Sequence, residues 1–176
     1  VGDYMGGGQA LLWLLGPATV GIAVPLCRNF ARVRSALLPM AAALVIGSTV
    51  AVVSAVLIGE AMGASVETIR SLAPKSVTTP IAMGIAGEIG GYPSLAAAFV
   101  ILTGIVGAVF GAAFFRLLHI RDERAKGFAM GIAAHGIGTA RAFQENEVQG
   151  TFSGVAMALN GIVTALVLPL LWLAFS

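Results

Sequence analysis

Polar residues that could bind a solute are gathered at three points where apolar segments are interrupted by glycine or proline. Each interruption holds a threonine: Gly16-Pro17-Ala18-Thr19, Ser76-Val77-Thr78-Thr79-Pro80 and His135-Gly136-Ile137-Gly138-Thr139. Helices that break at membrane depth are tolerated only where protein or a wet cavity receives the freed backbone groups. The three breaks therefore predict a solute-binding site.

The second break has the chemistry of an anion site. Pro80 removes a backbone donor and disfavours helical dihedral angles at Thr79, so one helix should end before Ser76 and another should begin near Pro80. The new helix N-terminus carries a partial positive charge, to which Ser76, Thr78 and Thr79 add hydroxyl donors and Lys75 adds a full charge. A carboxylate or phosphate is the expected ligand. In the simpler alternative, a threonine caps the helix and Lys75 extends to the membrane interface.

The third break repeats this chemistry with other residues. Gly136 and Gly138 free the backbone, Thr139 can cap or coordinate, and Arg141 supplies a fixed charge. Because an arginine at the membrane centre costs roughly 2.5 to 3.5 kcal/mol, we expect Arg141 to face a partner or a solute. The alternative is an ordinary ion pair at the interface, near Glu145 and Glu147.

Four other polar residues have weaker signals. His135 could couple transport to protons or simply donate to a carbonyl, and Thr19 offers one hydroxyl at a break that could equally be a structural kink. Asn160 is expected to form interhelical hydrogen bonds, because its amide needs a partner within an apolar segment. Glu88 could couple protons, but beside glycines in a loop we expect it to be solvated.

The composition is that of a membrane protein. Of 176 residues, 58% are hydrophobic and only 10% are charged, and the mean hydropathy is +0.95. About 20 apolar residues span the ~30 Å hydrocarbon core, and three uncharged segments are long enough: 36–58, 95–115 and 155–175. The segments that carry the breaks should cross in two pieces or enter and return; they are 10–27, 61–87 and 127–143. The predicted fold is an all-α polytopic bundle with discontinuous helices.

The net charge is +2. The basic residues lie between apolar segments, so we interpret them as topology signals and not as a nucleic-acid-binding surface. Two basic clusters flank the long segments and should both lie on the cytoplasmic side; they are Arg28, Arg32 and Arg34, and Arg116, Arg121, Arg124 and Lys126. The lone Cys27 excludes an internal disulfide and gives no metal-ligand spacing. Because no HExxH, Gly-x-Ser-x-Gly or paired-carboxylate motif occurs, we expect no enzymatic activity, metal or cofactor.

A weak internal repeat supports a transporter-like plan. Displacement by 59 residues aligns four identical pairs: Thr19 with Thr78, Ile22 with Ile81, Ala23 with Ala82 and Ser35 with Ser94. We interpret 1–176 as one transmembrane domain with units of about 10–60, 61–120 and 127–176. Since only the first copy has a basic flank, the copies are predicted to be inverted, as in many secondary transporters. Chance alignment of small apolar residues is the alternative.

Four motifs resemble the LrgB/CidB family, which includes the plastidal glycolate/glycerate translocator. They are LLGPATVGIAVPL (14–26), PKSVTTPIAMGIAGEIGG (74–91), AAHGIGTARAF (133–143) and the FSGVAMALNGIVTALVLPLL stretch. The resemblance implies an inner-membrane protein, either a carrier of glycolate, glycerate or pyruvate or a holin-like regulator of murein hydrolase release. It further implies hydrophobic helices before the first motif that this chain lacks, and partners that include a small LrgA/CidA-type protein or a second copy. The motif residues implicated in the site are Ser76, Thr78, Thr79, Pro80, His135, Gly136, Thr139 and Arg141.

Overall fold

A computed structural model describes residues 24–175, and the helices of this part form a bundle without strands. After a helical stretch at 24–28, seven helices follow: α1 (Phe30–Ser35), α2 (Leu37–Ala61), α3 (Val66–Leu72), α4 (Thr79–Glu88), α5 (Pro93–Leu117), α6 (Glu123–Glu145) and α7 (Glu147–Phe175). The predicted all-α fold with broken helices is confirmed. The first predicted break, which contains Thr19, lies outside the described residues.

The three predicted spans are confirmed as α2, α5 and α7. These helices are long and apolar enough to cross a membrane, because each contains a charge-free run of at least 20 residues. Helix α7 begins eight residues before the predicted segment, since its polar first two turns are also helical. The interrupted segments pack against these three long helices.

Helix α6 is a helical hairpin, called hairpin B (123–145). Its backbone leaves the helical region at His135, where φ is 41° and ψ is −131°. The amide of Asn146 donates to the carboxylate of Glu123 at 2.9 Å, although a straight helix would separate them by about 34 Å. The chain therefore enters, reverses at His135 and returns to the end where it began.

The second predicted break forms a similar excursion, called hairpin A (66–88). Helix α3 continues as tight turns through residues 73–77, and α4 begins after the extended residue Thr78. The chain then returns beside the first arm, because the backbone N–H of Tyr92 donates to Ser71 Oγ at 2.7 Å. Both segments thus follow the enter-and-return alternative, and in the described residues three helices are long and apolar enough to cross a membrane.

The two hairpins enter from opposite ends of the bundle. At the mouth of hairpin B, Glu147 contacts Asn29 at 3.0 Å and Arg28 at 4.0 Å, so both predicted basic clusters lie at this end, called the basic end. At the opposite end, Arg70 of hairpin A lies 5.7 Å from the ring centre of Trp172 near the end of α7. The positive-inside rule predicts that the basic end faces the cytoplasm.

Glycines allow the hairpins to approach the spans closely, because they carry no side chain that would keep the backbones apart. On α5, Gly104 faces His135 and Ile137, Gly107 faces Ala134, and Gly111 faces Met130. A methyl group at Gly104 would lie 2.8 Å from atoms of both of its neighbours. The first arm of hairpin B therefore runs antiparallel along the glycine face of α5.

The same packing predicts a large effect of one methyl group at Gly131. Gly131→Ala would push a Cβ atom into the Ser153 carbonyl oxygen and to 2.7 Å from Ala156 Cβ. We expect a loss of roughly 1–3 kcal/mol, measured as a lower midpoint of thermal unfolding in detergent. The control is Gly84→Ala on α4, where the added Cβ meets nothing within 4 Å. An equal drop in both variants would contradict the close approach.

Candidate functional site

Asn160, in the middle of α7, joins the two hairpins. Its Nδ2 donates to the Ser76 carbonyl of hairpin A at 3.1 Å and to the Ile132 carbonyl of hairpin B at 3.3 Å. Its Oδ1 accepts from Ser48 on α2 at 2.6 Å and from Thr164 at 3.4 Å. The predicted role of Asn160 in interhelical hydrogen bonding is confirmed, and it brings both hairpin tips to the centre of the bundle.

The tip of hairpin B is fixed by buried hydrogen bonds. His135 is 3% exposed, and its Nε2 donates to the Val100 carbonyl of α5 at 2.8 Å. Thr139 Oγ1 donates to the His135 carbonyl at 2.7 Å and lies 2.9 Å from Ser153 Oγ. A non-glycine residue with this φ is strained, and these bonds hold it. Both side chains therefore stabilise the reversal.

The two predicted glycines of hairpin B differ in their surroundings. Gly138 lies where the arms approach most closely, since a Cβ there would be 2.5 Å from that of Ala134 and 3.0 Å from the Met130 carbonyl oxygen. A Cβ at Gly136 would meet only the sulfur of Met157, at 3.9 Å. Gly138 therefore permits the fold, whereas Gly136 leaves open space at the tip.

The tip of hairpin A presents a helix N-terminus with unused hydroxyl groups. Thr78 occupies the N-cap position of α4, but its side chain makes no capping hydrogen bond. Thr79 and Pro80 form the first turn, and Thr78 and Thr79 are both half-buried. Since proline supplies no N–H, the remaining N–H groups of this turn and the two hydroxyls are available to an anion. The predicted helix start near Pro80 is confirmed.

Lys75 lies at the tip of hairpin A and faces the first arm of hairpin B across a cavity. It is half-buried and lines a cavity of about 530 Å³ between α2, α5 and hairpin B, with Thr103, Ile132 and Ala133 among the other lining residues. Within residues 24–175 it forms no ion pair. A lone cation at this depth is costly and typically retained for function. Lys75 is therefore the strongest candidate for holding an anion.

Arg141 does not join this cluster. It lies six residues beyond His135 on the second arm, about 9 Å back toward the basic end. There it pairs with Glu145 and donates to Gln144 Oε1 at 3.2 Å. The structure shows the ion pair with Glu145 that was the alternative, because the returning arm carries Arg141 away from the tip.

The predicted site residues thus fall into three groups. Hairpin A presents Lys75, Ser76, Thr78, Thr79 and Pro80, and hairpin B places His135, Gly136, Gly138 and Thr139 at the opposing tip, whereas Arg141 lies apart. Sequence reasoning missed three hydroxyl residues: Ser48, Thr103 and Ser153. Ser48 and Thr103 lie within predicted apolar spans and Ser153 lies two residues before one. Their signal was a hydroxyl in apolar surroundings, which must find a buried partner.

Three apolar spans and two hairpins that meet at mid-bundle define a polytopic helical membrane protein. The chain belongs to the LrgB-like family, whose model matches residues 1–174. This confirms the predicted resemblance.

Curated relatives match nearly the whole chain. It is 40% identical to the uncharacterized protein YwbG of Bacillus subtilis (strain 168), over 96% of this chain and 75% of the relative. It is 34% identical to the uncharacterized protein YxaC of the same organism, over 97% and 74%. It is 30% identical to the antiholin-like protein LrgB of Bacillus mycoides (strain KBAB4), over 96% and 73%. No solved structure matches.

Proposed function

We propose that this protein carries small carboxylates of the glycolate, glycerate or pyruvate type across the cytoplasmic membrane by alternating access. The observation that carries the proposal is Lys75, a cation without an ion pair in the described residues, beside two hairpin tips at mid-bundle. Many transporters bind solutes near the bilayer midplane where discontinuous helices end.

The proposed binding mode uses the tip of hairpin A. The carboxylate lies against the Lys75 ammonium group and the N-terminal turn of α4, with hydrogen bonds from Thr78 and Thr79. Ile132 and Ala133 on the first arm of hairpin B line the same cavity as Lys75 and close the site from the other side. Of the two cations that the sequence offered as counter-charge, Lys75 is the one at this depth, and Arg141 is not.

The proposed transport cycle moves the hairpins. The predicted inversion of units 10–60 and 61–120 involves residues outside the described part. We propose a different inverted pair, hairpin A with α5 and hairpin B with α7, because each is a hairpin followed by a long helix and the two enter from opposite ends. Sliding of hairpin B along the glycine face of α5 would open the site to the basic end, and displacement of hairpin A would open it to the other.

Uptake by the full-length protein in reconstituted vesicles tests the proposal. Labelled glycolate, glycerate or pyruvate should enter with saturable kinetics and compete with one another. Thr79→Ala should lower the uptake rate about tenfold, because a hydrogen bond to a charged group contributes roughly 1.5–3 kcal/mol. The control is Thr49→Ala on an exposed face of α2, which should transport normally. Unchanged uptake in Thr79→Ala would remove hairpin A from the site.

A second candidate function is suggested by the name of a relative. The antiholin-like protein LrgB of Bacillus mycoides is 30% identical to this chain, and a regulator of murein hydrolase release would act through a pore, with a small membrane partner or further copies. A pore would pass solutes of many kinds without saturation, graded only by size. Such release from dye-loaded vesicles, with no competition among carboxylates, would favour this candidate over the carrier.

A further inference from the structure

A second cavity, of about 410 Å³, lies at the basic end between the last turns of α5 and both arms of hairpin B. Three cations line it: Arg116 from α5, Lys126 from the first arm and Arg141 from the second arm. Glu145 is the one carboxylate among its lining residues, and Gln149 adds an amide. The cavity is distinct from the one that Lys75 lines.

The positive charge of this cavity is only partly neutralised. Lys126 lies 2.8 Å from Glu123, and the pKa of that carboxyl is lowered mainly by its hydrogen bonds from Lys126, Asn146 and Gln149, so Glu123 is ionised at neutral pH. Arg141 pairs with Glu145. Arg116 forms no ion pair within the described part of the chain. Arg116 is thus left to bind an external anion with a single negative charge.

The remaining wall of the cavity is apolar and continues onto an exposed helix face. Val109, Ala112 and Ala113 of α5 line the cavity. Val109 and Phe110 are each 63% exposed, and Phe114 is 57% exposed. Because α5 is long and apolar enough to cross a membrane, this face contacts hydrocarbon. A ligand that fits both parts has an anionic head and an apolar chain.

We propose that this cavity binds the phosphodiester headgroup of an anionic phospholipid, with one acyl chain lying along the exposed face of α5. Arg116 and Arg141 provide the donors for the phosphate oxygens. The basic end is the side at which pockets between transmembrane helices bind anionic headgroups. The bound lipid would hold the returning arm of hairpin B against the end of α5.

Native mass spectrometry of the full-length protein in detergent tests the proposal, with phosphatidylglycerol, phosphatidylcholine and soluble glycerol phosphate as separate probes. Phosphatidylglycerol should bind at least about fivefold more tightly than phosphatidylcholine, because only phosphatidylglycerol has a net negative charge and each basic residue near an anionic lipid contributes about that factor. Arg116→Gln should reduce this preference, and Arg116→Gln combined with Arg141→Gln should abolish it. Arg116→Lys should retain part of it. The matched control is Arg121→Gln, an exposed loop residue outside the cavity.

Three outcomes would overturn the proposal. Equal binding of the two phospholipids would exclude an anionic headgroup site. Unchanged phosphatidylglycerol binding in the double variant, with a normal unfolding midpoint, would place the lipid elsewhere. Binding of glycerol phosphate as tight as that of the lipid would assign the cavity to a soluble anion, because the α5 face would then contribute nothing.

Discussion

Replacing Asn160 with leucine should lower the free energy of unfolding by roughly 2–4 kcal/mol. Four hydrogen bonds disappear at about 0.6 kcal/mol each in a membrane bundle, and the buried Ser48 hydroxyl loses its acceptor, which adds a desolvation cost. Both hairpin tips are released together, because Ser76 and Ile132 share this one donor. The measurement is thermal unfolding in detergent.

Two matched variants separate hydrogen bonding from side-chain volume. Asn160→Asp keeps the shape and the two acceptor bonds but removes the donors to both carbonyls, so it should be nearly as harmful as leucine. Leu166→Ala, on the exposed face of the same helix, changes side-chain volume more than Asn160→Asp does. Because Leu166 is 64% exposed, this variant should have a nearly normal unfolding midpoint. A normal unfolding midpoint in Asn160→Leu would show that the tips are held by other contacts.

Replacing Lys75 with glutamine should lower transport without lowering stability. Uptake of the labelled carboxylate should fall at least about tenfold, because the charged partner of the anion is lost. The unfolding midpoint should stay equal or rise, since a costly cation without an ion pair is removed from the bundle. A purely structural lysine would show the opposite change in stability. The measurements are uptake in vesicles and thermal unfolding of the same preparations.

The controls for Lys75 vary charge and position. Lys75→Arg keeps the charge and should retain part of the uptake, although its planar donor group differs in geometry. Arg34→Gln removes a cation from an exposed position at the basic end and should leave uptake unchanged. If Lys75→Gln transports at the normal rate, the anion does not bind at hairpin A and the carrier proposal loses its main support.

The spans and the breaks could be predicted because each depends on local chemistry. Uncharged runs of the right length predicted α2, α5 and α7. Pro80 predicted the start of α4, and the glycines after His135 predicted an interruption in α6. These features depend only on neighbouring residues, so they could be predicted from the sequence alone.

The return of each hairpin could not be predicted, because it depends on contacts between distant residues. Asn160 reaches Ser76 across 84 positions and Ile132 across 28. The four-residue spacing of Arg141 and Glu145 made their ion pair foreseeable, yet the depth of Arg141 depends on the direction of the second arm. Only the reversal at His135 sets that direction.

Because the described chain has an odd number of membrane-length helices, its two ends lie at opposite ends of the bundle. The stretch before α2 lies at the basic end, and α7 finishes beside Arg70 at the other. A soluble protein that touches residues 28–34 and one that touches the last turn of α7 would consequently approach opposite ends of the bundle. Two such proteins would bind without competing for the same surface.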